Sequence, residues 1–250
     1  MNKKNIIFFL ATFVIFSAVA SASMIIPSSD RAKERSSASN NSPVIGENWG
    51  LERVDFIHYA NQKMAEGRPK TEKCYKLLGV SWKNTSVNYV INPTNFSGLT
   101  EEFVVSAIST SAEIWDAKTS TELFNNSYEI DYNADYGVQN FKNTMVFGEY
   151  PDENVIGVTS IWFTRKGRRI VEFDILFNKN YTWGDAETNP GIMDLQNIAT
   201  HELGHGIGLD DIYNSTCQTV TMYGYSGNGE IEKRTLEEPD VNGLQSMYGI

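Results

Sequence analysis

The chain of 250 residues is 41% hydrophobic and 12% aromatic, a composition that supports a packed core and excludes an intrinsically disordered protein. Its formal net charge is -10, and residues 1–22 contribute two lysines and no acidic residue, so the remainder is more acidic still. Because binding to phosphate groups requires clustered cations, this charge argues against nucleic acid and anionic membranes as partners.

The N-terminus has the three parts of a secretory signal. Lys3 and Lys4 form a basic start, residues 6–19 form an apolar run, and small residues around Ala20 offer a cleavage pattern. We therefore predict a signal peptide over residues 1–22 and a secreted, extracellular protein. The alternative is an uncleaved anchor that keeps the protein at the cell surface.

Residues 23–73 are predicted to precede the main domain as a linker and an N-terminal extension or pro-region. The linker is rich in Ser and Asn and has no periodicity. Residues 51–73 have mixed apolar spacing and a Gly-Arg-Pro break, a pattern that we interpret as a short helix and a strand. His58 lies in this extension, and we interpret it as an ordinary half-buried side chain.

Residues 74–250 have the pattern of one compact domain. We predict strands at 87–93, 128–133, 143–150, 155–164 and 168–178. We predict helices that begin at Thr100, span 189–208 and begin near Pro239. This order predicts an α+β fold in which the helices pack on a single sheet.

The segment "ATHELGHGIGLDD" (199–211) carries the candidate chemistry. On a helix, His201 and His205 lie on one face and can present two imidazoles to one zinc ion. Glu202 is rotated off their row, where it can take a proton from a metal-bound water. The alternative is a helix that simply buries its histidines.

A third ligand is needed, and the chain has only three histidines. Gly208 can turn the chain out of the helix in the left-handed conformation, which places Asp211 to offer a carboxylate oxygen to the metal. Asp210 is the alternative ligand, although we favour a solvated or turn-bonded role for it.

The complete pattern H-E-x-x-H-x-x-G-x-x-D resembles that of the metzincin metallopeptidases. Their usual third histidine is replaced here by Asp211, as in the snapalysins. The resemblance implies a twisted, mainly parallel five-stranded sheet with an antiparallel edge strand, an active-site helix, a methionine turn and a C-terminal helix. It also implies that Met222 forms the methionine turn and that Tyr223 shapes the pocket wall; the alternative for Met222 is an ordinary core methionine.

Within this clan the chain is most similar to the matrixins, over about residues 75–250. "TVTMYGY" and the final "PDVNGLQSMYG" resemble their methionine turn and the end of their catalytic domain. The resemblance implies a zinc endopeptidase that acts on proteins or peptides, and we expect a monomer. The substrate would lie extended along "GVTSIWF" (157–163).

The chain also departs from the matrixin pattern. It has no histidines for a structural zinc, so structural calcium near Asp174, Asp185 or Glu187 is a second candidate cofactor, unless these acids are solvated. Cys74 lacks the Pro-Arg-Cys-Gly context of a latency cysteine. We predict a disulfide between Cys74 and Cys217, because two cysteines in an exported protein usually pair; the alternative is that Cys74 is a latency thiol.

Two other functions remain open on the sequence alone. One is a secreted binding or surface protein that keeps the fold without turnover, which the intact Glu202 argues against. The other is a metal hydrolase that does not cleave peptides, which Gly208 and Met222 together disfavour.

Overall fold

The computed structural model of the protein describes residues 50–60 and 73–250, so the predicted signal peptide and most of the predicted linker and extension lie outside the described residues. The strands are β1 (Leu51–Ala60), β2 (Lys76–Leu77), β3 (Val90–Ile91), β4 (Glu129–Ile130), β5 (Thr144–Gly148), β6 (Val155–Thr164), β7 (Ile170–Asn178), β8 (Trp183–Gly184), β9 (Met193–Asp194), β10 (Leu209–Asp210) and β11 (Tyr225–Ser226). The helices are α1 (Glu101–Asp116), α2 (Leu195–Gly206) and α3 (Glu238–Tyr248). None of the described helices has the length and apolarity required to cross a membrane.

The main sheet has the strand order β11-β1-β6-β7-β5-β3-β4. Strands β4, β3, β5 and β7 run parallel to one another, and β6 runs antiparallel to β7. The predicted α+β fold, with a five-stranded, mainly parallel sheet made of these four strands and the antiparallel β6, is confirmed. Two further strands extend this sheet beyond β6. Strand β1 comes from the extension, which we interpret from its sequence as a short helix and a strand, and β11 was not predicted.

Strands β6 and β7 form the centre of the sheet and are buried along almost their whole length. They occupy the predicted segments, whereas the segments predicted at 87–93 and 128–133 form strands of only two residues each. Within the first of these segments, Val87 forms an isolated bridge with Phe124 and does not pair in the main sheet.

Helices α1 and α2 pack against each other beside the sheet. The Thr100 hydroxyl accepts the amide of Phe103, which confirms Thr100 as the N-cap of α1. Trp115 of α1 donates its indole N–H to the carbonyl of Thr200 at 2.9 Å, which fixes α2 against α1.

Helix α2 begins later than predicted, at Leu195 rather than near residue 189. The Asp194 carboxylate accepts the amide of Asn197 at 2.8 Å and so caps the helix there. Arg234 holds this carboxylate in place with a 2.9 Å hydrogen bond from Nε to Oδ1. The prediction was wrong at this end because the apolar spacing continues through a turn and a short strand.

The predicted disulfide joins Cys74 to Cys217, with a Cα–Cα distance of 5.5 Å. Nearby, β2 pairs with β10 at the exit of α2, so the start of the main domain is attached to the segment that follows the histidines. The described residues contain no free cysteine, and Cys74 is therefore not a thiol directed at the metal-binding residues.

Candidate metal centre

The predicted histidine pair projects from α2 into one buried point. His201 and His205 are 0% and 1% exposed, and their Nε2 atoms lie 3.1 Å apart. Oδ1 of Asp211 lies 3.4 Å from each of these two nitrogens. The structure thus brings together the three predicted metal ligands.

Hydrogen bonds to the backbone fix the orientation of both imidazoles. Nδ1 of His201 lies 2.7 Å from the carbonyl of Thr221, and Nδ1 of His205 lies 3.0 Å from the carbonyl of Leu209. Because a carbonyl can only accept, each Nδ1 must carry a proton, and each ring in its neutral form turns an Nε2 lone pair toward Asp211. Burial lowers the pKa of His201 to about 4, which favours the neutral form of that ring. For His205 the lowering by burial is outweighed by the Asp211 carboxylate, which raises the pKa to about 9, so a metal ion held here would displace a proton from His205.

The donor set fits a zinc ion. Three N and O ligands bound tetrahedrally at about 2.0–2.1 Å lie about 3.3–3.4 Å from one another, close to the separations found here. Oδ1 of Asp211 is buried without a hydrogen-bond partner, although Oδ2 accepts the hydroxyl of Tyr213 at 2.9 Å. An unpaired, buried carboxylate oxygen between two imidazole lone pairs calls for a cation.

Asp210 and Asp211 point to different partners. Asp210 forms an ion pair with Lys76 across the β2–β10 pair, away from the histidines. The chain turns out of α2 at Gly208, whose φ of +106° is positive as predicted, and Asp211 then reaches the two histidines. A Cβ at Gly208 would also overlap the carbonyl oxygen of Val80.

Glu202 lies beside the ligands and is fully buried. Its Oε2 accepts the hydroxyl of Thr159 on β6, and a Cβ at Gly157 would lie 2.8 Å from its Oε1. Burial raises the pKa of Glu202 to about 7, because desolvation disfavours the carboxylate. A carboxyl group with this pKa is suited to accept and release a proton near neutral pH.

Met222 and Tyr223 lie on the segment that supports the histidines. The sulfur of Met222 approaches α2 at Gly204, where a Cβ would overlap it, so only glycine fits between the two histidines at this point. The Asp240 carboxylate accepts the amides of Thr221 at 2.9 Å and Met222 at 3.2 Å. The role of Asp240 was missed because its partners lie far away in sequence.

Tyr223 is 6% exposed and lies next to Tyr225 of β11, with a ring separation of 5.8 Å. The buried Lys233 donates to the carbonyl of Tyr225 at 2.6 Å and to the Ser226 hydroxyl, and so fastens β11. Burial lowers the pKa of Lys233 to about 8.

His58 corrects the sequence interpretation most clearly. It is not half-buried but 1% exposed, and its ring lies 4.0 Å from that of His201. Its Nδ1 lies 3.3 Å from Oε1 of Glu202. The preceding inward residue, Phe56, stacks on His205 at 4.1 Å with an interplanar angle of 12°.

The candidate calcium ligands have other partners. Asp185 and Glu187 both form ion pairs with Arg234, and Asp174 accepts the amide of Gly137 at 2.8 Å. None of the three belongs to a potential metal-binding group within the part of the chain that the structure describes. Structural calcium therefore stays a prediction.

The sheet, the histidine helix and the methionine segment together define a metzincin-type catalytic domain. The family model for the matrixins, peptidase family M10, matches residues 81–249. This chain belongs to the matrixin family, and membership implies a catalytic zinc.

Individual relatives agree with this assignment. The chain is 25% identical to matrix metalloproteinase-25 of Mus musculus over 187 residues, which cover 74% of this chain and 30% of that protein. It is 36% identical to matrilysin of Homo sapiens over 76 residues, 30% of this chain and 27% of that protein. It is 30% identical to metalloendoproteinase 4-MMP of Arabidopsis thaliana over 122 residues, 46% of this chain and 33% of that protein. The matched part thus spans about a third of the length of these relatives.

Proposed function

We propose that this chain is a secreted zinc endopeptidase in which His201, His205 and Asp211 hold the metal and Glu202 is the general base. The observation that carries the proposal is the triangle of two Nε2 atoms and the unpaired Oδ1, with separations of 3.1 and 3.4 Å. Family membership and the names of the relatives, which include metalloproteinases and a metalloendoproteinase, support it.

The residues of the chain would divide the work of peptide hydrolysis as follows. When bound, zinc lowers the pKa of a coordinated water and polarises the scissile carbonyl. Glu202 takes the proton of this water and passes it to the leaving amine. Thr159 donates to Oε2 of Glu202 and restrains the side chain, while Oε1 faces His58 of β1.

The substrate would bind as an extended strand against β6, as predicted for residues 157–163. Backbone hydrogen bonds along β6 would provide affinity for a peptide of any sequence, and side-chain pockets would provide selectivity. Met222 would support the histidines, and Tyr223 would form part of the pocket wall.

Two aspartate variants test the ligand set. We expect Asp211→Ala to weaken zinc binding by more than about a hundredfold, beyond the effect of losing an outer-shell residue. Asp210→Ala is the matched control and should retain zinc, because Asp210 faces Lys76. Zinc affinity is measured by competition with a chromophoric chelator. Equal loss in both variants would show that Asp211 is not the specific ligand.

The base is tested by Glu202→Ala. This variant should keep the zinc stoichiometry of the wild type but lose chelator-sensitive cleavage of casein, since the proton acceptor is gone. Cleavage is measured in the full chain and in the groove variants introduced below, with Glu202→Ala added to each. Persisting cleavage would refute the role of Glu202.

The second candidate function is a binding protein that has the matrixin fold without turnover. One observation favours it: β1 fills the place that a substrate would need. Chelator-sensitive cleavage in any of the variants below would exclude it.

A further inference from the structure

Strand β1 occupies the predicted substrate position along its whole length. It pairs antiparallel with β6 in a register that runs from Leu51 opposite Thr164 to His58 opposite Gly157. Residues 157–163, the segment predicted to hold the substrate, are therefore paired with the chain's own extension. A second strand cannot add to this edge of β6 while β1 is present.

The other edge of β1 is paired as well. Tyr59 and Ala60 lie opposite Tyr225 and Ser226 of β11, in parallel orientation. We call the space between β6 and β11 the groove. An extended peptide in the groove would use the same two edges that β1 uses, so the groove is filled in the manner of a bound peptide.

Two inward side chains of β1 cover the candidate metal ligands. Phe56 stacks on His205, and His58 contacts both His201 and the carboxylate of Glu202. We call Phe56 and His58 the β1 cover. With Nδ1 of His58 3.3 Å from Oε1 of Glu202, the imidazole stands where the base would meet its water.

Outward side chains strengthen the attachment of β1 to β6. Arg53 donates to the hydroxyl of Ser160 at 3.0 Å and lies 4.9 Å above the ring of Trp162. The Ser160 hydroxyl in turn donates to Asp55 at 2.7 Å.

The 550 Å³ cavity bounded by Trp82, Tyr89 and Phe141 lies elsewhere and includes none of the candidate metal ligands.

From these contacts we infer that β1 is an internal inhibitor: it binds the groove as a peptide would, and Phe56 and His58 block the metal ligands and the base. The inference rests on the proposed function in that the blocked site is the one assigned above. No cysteine takes part, since Cys74 and Cys217 are joined to each other.

The first test weakens the binding of β1 in the full chain. It uses two variants, which we call the groove variants. Phe56→Ser with His58→Ser removes both ring contacts, and Ile57→Pro is a second variant that breaks the backbone pairing instead. Glu52→Gln is the matched control. Glu52 lies at the start of the same strand, and its partners among the described ion pairs are only Arg165 and Arg168.

The probe is a fluorescein-labelled peptide with the sequence of residues 51–60, and its binding is followed by fluorescence anisotropy without any turnover. We expect the two groove variants to bind the peptide at least about tenfold more tightly than the wild type and Glu52→Gln, because the tethered competitor has been weakened. If neither variant binds more tightly than the wild type, β1 is a permanent strand and the inference is overturned.

Casein cleavage in the presence of zinc separates this inference from the proposed function. Increased cleavage by the groove variants, but not by Glu52→Gln, supports both. Tighter peptide binding without cleavage in any variant supports the inhibitor and contradicts the endopeptidase. Wild-type cleavage as fast as that of the variants contradicts the inhibitor and supports the endopeptidase.

Discussion

The candidate metal ligands have two sets of neighbours that are held in very different ways. One is the Met222 support, by which we mean Thr221, Met222 and Asp240; its backbone amides bind a buried carboxylate, and the sulfur fits against Gly204. The other is the β1 cover, held by strand pairing and ring contacts. The support belongs to the predicted main domain and the cover to the predicted extension. The residues that support the metal ligands and the residues that cover them thus come from different parts of the chain.

The largest expected change in the free energy of unfolding comes from removal of the disulfide. Replacing Cys74 and Cys217 by Ser reopens a loop with a sequence separation of 143. We expect the free energy of unfolding to fall by about 5 kcal/mol in the chain-entropy model, as measured by urea unfolding. The matched control is the wild type in the same buffer with and without a reductant. An unchanged free energy of unfolding would mean that the β2–β10 pair alone attaches the start of the domain.

The next effect concerns the Met222 support. Asp240→Ala leaves the buried amides of Thr221 and Met222 without an acceptor, so we expect a loss of about 3 kcal/mol in the free energy of unfolding and weaker zinc binding. Glu238→Ala, at an exposed position of α3, is the control. Equal effects of the two substitutions would show that the support does not depend on this carboxylate.

Gly204→Ala tests the closeness of Met222 to α2. The added methyl group would overlap the sulfur and lie 2.8 Å from Trp115, and overpacking of this kind costs about 2 kcal/mol. Gly206→Ala in the same helix is the control, because its methyl group would meet Phe173 only at 3.3 Å. Thermal unfolding measures both. If Gly206→Ala destabilised the protein more than Gly204→Ala, the Met222 support would not be the tighter contact.

The smallest effect is expected at Tyr213, which donates to Oδ2 of Asp211. Tyr213→Phe should weaken zinc binding about tenfold, because outer-shell hydrogen bonds orient metal ligands. Tyr223→Phe is the control, since no hydrogen bond between the Tyr223 hydroxyl and the ligands is among those described. The zinc dissociation constant is measured for both variants and the wild type. A constant for Tyr213→Phe equal to that of the wild type would contradict the prediction.

The candidate metal ligands and the β1 cover differ in how well the sequence predicts them. His201, Glu202 and His205 lie within one helix, so helical geometry alone places them on neighbouring faces. Gly208 and Asp211 follow within six residues, and a positive φ at the glycine is enough to return the chain. Local rules therefore suffice for this part of the site.

The contacts of His58 could not be predicted in the same way. They depend on a pairing between His58 and Gly157, and strand register over such a distance is decided by tertiary packing. Nothing in residues 51–60 indicates which edge they join. The contacts of Asp240 could not be predicted for a similar reason. Its carboxylate can accept the amides of Thr221 and Met222 only when α3 packs beside them.

The pairing of β1 has a further consequence for any peptide that competes for the groove. A strand on the same chain acts at an effective concentration on the order of millimolar, independent of how dilute the protein is. Cutting the chain between β1 and Cys74 would make the binding of β1 to the groove bimolecular, so that dilution alone could dissociate β1. In the intact chain, the fraction of grooves occupied by β1 would be the same at every protein concentration. After the cut, that fraction would fall as the protein is diluted.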